Sequence, residues 1–217
     1  MPRQSRRAGA FALFALAIAA LFSPEPALAK TIRLVALGDS LTAGYSLAQQ
    51  EAFPPVLQKA LRDKGWDVTI ANAGVSGDTA TQGAARLDWA VPEGTQGVIL
   101  ELGANDALRG VDPAVTRGAL EKILDRLKAR KIPVLIAGMY APRNLGRAYY
   151  EKFDAIYPAL AAKYGHPLYP FFLDGVAGQV KLNIQDGVHP TAEGVRLIVE
   201  RILPSVEDFL RKVEPGA

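Results

Sequence analysis

The chain has 217 residues, no cysteine, two histidines and a formal net charge of +3, with 49% hydrophobic and 22% charged residues. That balance suits one sizeable domain with an apolar core. It excludes disulfides, a thiol nucleophile and a Cys-based zinc site, and no basic run or stripe marks a nucleic-acid partner.

Residues 1–29 read as a segment of their own. Arg3, Arg6 and Arg7 precede an apolar stretch of about 15 residues, and Ala27-Leu28-Ala29 closes it. This is the layout of a secretory signal peptide cut before Lys30. The apolar run is short for a membrane span, which needs about 20 residues; an uncleaved anchor is the alternative. Without the segment's three Arg and one Glu the remainder carries 22 basic and 21 acidic side chains, a net of +1. The domain is expected over 30–217.

Beyond Lys30, apolar β-branched runs alternate with helical patterns. Strands are predicted at 31–37, 67–73, 97–103, 133–140 and 167–172, their unbroken apolar runs suiting burial on both faces. Helices are predicted at 53–65, closed by Gly65, and at 78–91, capped by Asp78. Another is expected at 112–131, with Asp112 as N-cap and Pro113 at the first position. Two more carry an internal proline: 148–165 should break or kink at Pro158, and 190–213 should bend or divide at Pro204. Alternating strands and helices imply a parallel sheet covered on both sides. The turn-rich stretch 141–150 follows a strand end and reads as a plain surface loop or as the border of a site.

The first strand runs into Gly38-Asp39-Ser40-Leu41. Ser40 is either a turn serine or a nucleophile, and a nucleophilic serine needs a base. His189, three residues after Asp186, supplies one: the carboxylate can hold the imidazole tautomer and steady the imidazolium. Pro190 would put His189 at the start of the last helix. His166 has no acid nearby in sequence and reads as structural. Gly74 and Asn105 follow the second and third strands. A glycine N–H and an asparagine NH₂, with the Ser40 N–H, would make three donors for an oxyanion. Neither Ser40 nor Ser76 sits in a G-x-S-x-G elbow. No G-x-G-x-x-G or Walker-type loop points to a nucleotide or flavin.

These blocks, "GDSLTAG", "NAGVSGDT", "GANDALRG" and "DGVHPTAEG", resemble the SGNH, or GDSL, hydrolase family. They fall in family order over residues 38–194. Within the family the chain is similar to the bacterial periplasmic thioesterase, arylesterase and lysophospholipase branch. The resemblance implies an α/β, three-layer, flavodoxin-like fold with a five-stranded parallel sheet. It implies Ser40 as nucleophile, His189 as base and Asp186 as orienter, with Ser40, Gly74 and Asn105 as the oxyanion hole. It further implies a small-molecule acyl ester or thioester substrate of medium or long chain, no cofactor or metal, and a periplasmic location; with no heptad seam or obvious interface in the sequence, a monomer is expected. Leu108 reads as groove lining or core, and Arg109 as a headgroup contact or a solvated charge. A carbohydrate O-acetyl esterase with the same triad and a non-catalytic binding domain are the competing classes.

Overall fold

The computed structural model describes residues 31–213. The expected signal peptide at 1–29 lies outside the described residues. Five strands form one sheet: β1 (Ile32–Gly38), β2 (Val68–Gly74), β3 (Gly97–Glu101), β4 (Val134–Ala137) and β5 (Leu168–Tyr169). Their order is β2-β1-β3-β4-β5 and every pairing is parallel. The fold is the α/β one expected.

Helices α1 (Ser40–Ala43), α2 (Phe53–Asp63), α3 (Ala80–Ala85), α4 (Leu87–Ala90), α5 (Ala104–Leu108), α6 (Pro113–Ala129), α7 (Arg147–Asp154), α8 (Ile156–Tyr164) and α9 (Ala192–Val213) make the outer layers. α2 packs against α9, while α6 packs against α3 and α8. The chain steps from β1 outward to β2, then returns past β1 to β3. With right-handed crossovers, that reversal sends the two groups of helices to opposite faces. It also opens a crevice at the carboxyl ends of β1 and β3, the switch point where such sheets bind ligands.

Burial follows position in the sheet. β3 and β4 are buried throughout, and β1 throughout except at Arg33. β2 is an edge strand, and its carboxyl half from Ala71 onward is partly or fully exposed, unlike the doubly buried strand its apolar run suggested. β5 is shorter than the predicted 167–172 because Pro170 has no N–H for the ladder. Phe172 then turns inward, donating its N–H to the Gly138 carbonyl at 2.8 Å and meeting Phe53 edge-on at 4.9 Å.

Several helix boundaries differ from the sequence expectation. The segment 78–91 is two short helices, because Arg86 leaves the helical path between them. Its N-cap is Thr79, in a capping box with Gln82, and Asp78 faces Arg86 instead. The segment 148–165 does break, at Ala155. The ring of Pro158 collides with the carbonyl four residues back, at Asp154, so α7 stops there and Pro158 falls in the first turn of α8. α9 passes through Pro204 undivided. Its buried row of Ile198, Ile202, Val206 and Phe209 holds it to the core across the lost hydrogen bond. It begins at Ala192, so His189 sits in the preceding loop and not on the helix start.

Candidate active site

Ser40 is the first residue of α1, capped by the Asp39 side chain, which accepts the Leu41 N–H at 3.0 Å. At that place its own N–H is one of the helix-start donors that have no intrahelical partner. The Ser40 hydroxyl lies 2.8 Å from His189 Nε2, and His189 Nδ1 lies 2.6 Å from Asp186 Oδ2. The other oxygen, Oδ1, accepts the N–H groups of Val188 and His189 at 2.9 and 3.0 Å. One carboxylate thus holds both the ring and the backbone of the histidine. An ionised carboxylate only accepts, so Nδ1 carries the imidazole proton and Nε2 faces the hydroxyl as acceptor. Partial burial opposes ionisation of Asp186. The two N–H groups and the imidazole outweigh it and hold the pKa down at about 2.

The loop that carries this pair is closed locally. Asn183 bridges Pro190, its side chain donates to the Val176 and Gln179 carbonyls, and the Ile184 N–H meets the His189 carbonyl at 2.8 Å. This hairpin-like closure fixes His189, where Pro190 had suggested that the start of α9 would.

Asn105 lies in α5 at the end of β3. Its Nδ2 donates to Asp39 Oδ2 and to the Asp78 carbonyl, both at 3.1 Å. Gly103, just before α5, has φ +118°, and a Cβ there would lie 2.2 Å from the Tyr157 hydroxyl. Only glycine lets β3 turn so tightly into Asn105. Gly74 packs its backbone against α1: a Cβ would stand 2.3 Å from the Ala43 nitrogen and 2.8 Å from the Asp39 carbonyl. Its N–H donates to Asn72 Oδ1 at 3.0 Å. The ends of β1, β2 and β3 therefore bring Ser40, Gly74 and Asn105 to one corner, as their spacing suggested.

A cleft of about 490 Å³ opens from Ser40, Asn105 and His189. Ala107, Leu108, Met139, Tyr140, Phe171 and Leu173 make its walls mainly apolar. Leu108 is 53% exposed, so it belongs to the cleft and not to the core. Arg109 donates to the Gly77 carbonyl at 2.9 Å and does not line the cleft. Ala141, Pro142 and Arg143 do line it, so of the two readings of 141–150 its first residues take that of a site border. His166 lies apart, half-buried beside Tyr164. Burial, then the Lys128 charge, holds its pKa down.

Sequence reading missed five residues around Ser40, His189 and Asp186. Tyr45 lays its ring on His189 at 4.5 Å. Arg86 and Asp78 pair in the interior. Asp39 and Glu101 are both buried under the turn that carries Ser40. Burial raises the Asp39 pKa to about 6 against its hydrogen bonds to Leu41 and Asn105. Burial, and then the Asp39 charge, pushes Glu101 well above the usual carboxylate range. The signal that could have found Asp39 and Glu101 is an acidic residue inside or directly ending an apolar strand. Among the described residues, no three His, Asp or Glu side chains gather as metal ligands.

Comparison with known proteins agrees with this architecture. Residues 36–197 match the GDSL-like Lipase/Acylhydrolase family. Esterase TesA of Pseudomonas aeruginosa is 36% identical over 194 residues, 89% of this chain and 96% of that protein. Thioesterase 1/protease 1/lysophospholipase L1 of Escherichia coli is 39% identical over 168 residues, 77% of this chain and 79% of that one. The crystal structure of AlinE4, an SGNH-hydrolase family esterase, superposes with a TM-score of 0.70 at 46% identity, over 83% of this chain and 97% of that one.

Proposed function

The chain belongs to the GDSL-like lipase/acylhydrolase family, and on that premise we propose that it hydrolyses carboxylic esters and thioesters through Ser40, His189 and Asp186. The carrying observation is the continuous chain from the Ser40 hydroxyl through His189 to Asp186, 2.8 and 2.6 Å, at the mouth of an apolar cleft.

Ser40 Oγ attacks the acyl carbon and its proton passes to His189 Nε2. Asp186 steadies the imidazolium through Nδ1–H. The carbonyl oxygen becomes an oxyanion, held by the Ser40 and Gly74 N–H groups and the Asn105 amide. The Gly74 N–H leaves Asn72, an exposed side chain whose bond exchanges cheaply for one to an anion. Collapse breaks the bond to the leaving alcohol or thiol, which takes the proton from Nε2. Water then attacks the acyl-enzyme, gives its proton to His189, and releases the acid and Ser40. No cofactor or metal takes part.

The apolar walls suit a medium or long acyl chain, of the kind carried by aryl esters, acyl thioesters and lysophospholipids. A carbohydrate O-acetyl esterase would call for a polar, open groove beside Ser40. Residues 1–29 are assigned as the signal peptide, 30–217 as the monomeric hydrolase domain, and the periplasm as its place of work. Among the described residues no helix is long and apolar enough to cross a membrane.

The test is hydrolysis of p-nitrophenyl butyrate by the purified protein, by Ser40→Ala, and after a serine-directed phosphonate. Loss of activity in both is expected. Wild-type activity in Ser40→Ala overturns the assignment. Across p-nitrophenyl esters of rising chain length, kcat/KM should peak at medium or long acyl; an optimum at acetate overturns the substrate class.

A further inference from the structure

Both hydrogens of the Asn105 amide are engaged, one by Asp39 Oδ2 and one by the Asp78 carbonyl, each at 3.1 Å. Both partners accept, so the amide orientation is fixed with its NH₂ toward the Ser40 corner. Asp39 is fully buried, and its second oxygen caps the helix that carries the nucleophile by taking the Leu41 N–H at 3.0 Å. A single carboxylate therefore joins the nucleophile turn to the Asn105 amide. Beneath them, Glu101 Oε2 accepts the Thr42 hydroxyl at 2.7 Å and the Asp39 N–H at 3.4 Å. Its other oxygen is buried without a hydrogen-bond partner.

We propose that Asp39 is a positioning residue, which aligns the Asn105 amide with Ser40 so that nucleophile and oxyanion donor are set as one unit. This rests on the roles given to Ser40 and Asn105 above. The Asp39 bond is the interior one and stays through the cycle. The N–H toward the Asp78 carbonyl is the one that a substrate oxygen takes. Two buried charges cannot both be tolerated at this spot without a cation. Glu101 stays protonated and leaves the negative charge on Asp39, where Asn105 needs it. The other titratable groups facing Asp39 are Asp106 from α5 and His189 from the 183–190 loop.

Replacing Asp39 by asparagine keeps the shape and inverts one contact. The oxygen of the introduced amide can still cap Leu41, but its NH₂ then meets the Asn105 NH₂, donor against donor. Flipping Asn105 only turns its oxygen toward the Asp78 carbonyl, acceptor against acceptor. The Asn105 amide loses its orientation either way.

The experiment is a double-mutant cycle on p-nitrophenyl butyrate with Asp39→Asn, Asn105→Ala and the pair. Asn105→Ala should lower kcat by about 10²–10³, the worth of one oxyanion donor. Asp39→Asn should lower kcat at least tenfold with KM within about twofold. The double variant should fall within about threefold of Asn105→Ala alone, because Asp39 acts through Asn105. Losses that multiply, or Asp39→Asn at the wild-type kcat, overturn the inference alone. Asn105→Ala at the wild-type kcat overturns the oxyanion role and this inference with it. If Asp39→Asn does not accumulate as folded protein, the wild-type enzyme answers by NMR. The Asn105 side-chain amide resonances should shift together with the titration of the Asp39 carboxyl carbon. Resonances that ignore it overturn the inference.

Discussion

Arg86 donates Nε to Asp78 Oδ2 at 2.5 Å, with both side chains buried. The same guanidinium donates to the Ala73 carbonyl at 2.9 Å and the Gly38 carbonyl at 2.7 Å. One cation thus clamps the ends of β1 and β2, directly behind Ser40 and Gly74. It also steadies Asp78, whose carbonyl meets the Asn105 amide.

Removing that cation leaves a buried carboxylate without its partner and takes a donor from the Ala73 and Gly38 carbonyls, of which Gly38 keeps the Val75 N–H at 3.1 Å. Arg86→Met, close in length, should cost about 3–5 kcal/mol, the usual penalty for breaking one side of a buried pair. Urea unfolding measures it. Arg86→Lys should recover only part, since an ammonium cannot reproduce a planar fork aimed at three acceptors. Equal stability of Arg86→Met and wild type would show that the clamp contributes nothing.

The pH dependence of stability carries the mark of the buried carboxyls. Glu101 is held well above its ordinary value of 4.5 by burial and then by Asp39. Between 4.5 and that raised value the folded state keeps a proton that the unfolded state releases. Stability therefore falls as pH rises through this window. Asp39, raised from 3.8 to about 6, acts in the same direction. Asp186 acts oppositely: lowered from 3.8 to about 2, it contributes stability above 3.8 that is lost as pH falls toward 2. Glu101→Gln mimics the neutral carboxyl and keeps the acceptor for Thr42. Its Tm should match wild type near about pH 5 and exceed it at about pH 8. A Tm difference that does not change between the two pH values removes this account.

Tyr45 is 47% exposed, yet its ring rests 4.5 Å from the His189 ring, tilted by 37°. An aromatic face next to an imidazole favours its cationic form, the one the proposed attack by Ser40 would generate, by about 0.5–1 kcal/mol at an exposed site. Tyr45→Ala should lower kcat about two- to fivefold, and Tyr45→Phe should keep it. Steady-state kinetics on one p-nitrophenyl ester decide. A loss as large in Phe as in Ala would transfer the effect to the hydroxyl.

Much of this was legible because strand ends carry it. Ser40, Gly74 and Asn105 each follow an apolar run, and Asp186 stands three residues before His189, so the corner could be read from spacing. The supporting layer could not. Arg86 bonds across 48 residues to Gly38, and Asp39 across 66 to Asn105. No local pattern encodes such pairings. The same holds for the cleft wall at 139–143, which is brought to Ser40 by sheet order. Boundaries failed where one residue overrode periodicity: Arg86 turning inward to its carbonyls, and Pro170 ending β5.

Gly74 offers the sharpest separation of site from scaffold. A Cβ there would meet the Ala43 nitrogen at 2.3 Å, the Ala43 Cα at 2.7 Å and the Asp39 carbonyl at 2.8 Å, all backbone. None can swing aside as a side chain would, so the methyl of Gly74→Ala must push α1, and Ser40 with it, away from His189. Misplacement by about 1 Å costs on the order of 10²-fold in rate, so kcat should fall by about that factor. Far-UV CD should stay unchanged, because β2 is an edge strand at this point. Gly118, inside α6, is the contrast, since a methyl added there would find nothing within 4 Å. Gly118→Ala should keep full activity and gain about 0.5–1 kcal/mol from helix propensity. If Gly74→Ala hydrolyses p-nitrophenyl butyrate at the wild-type rate, close packing of β2 on α1 is not what holds Ser40 in place.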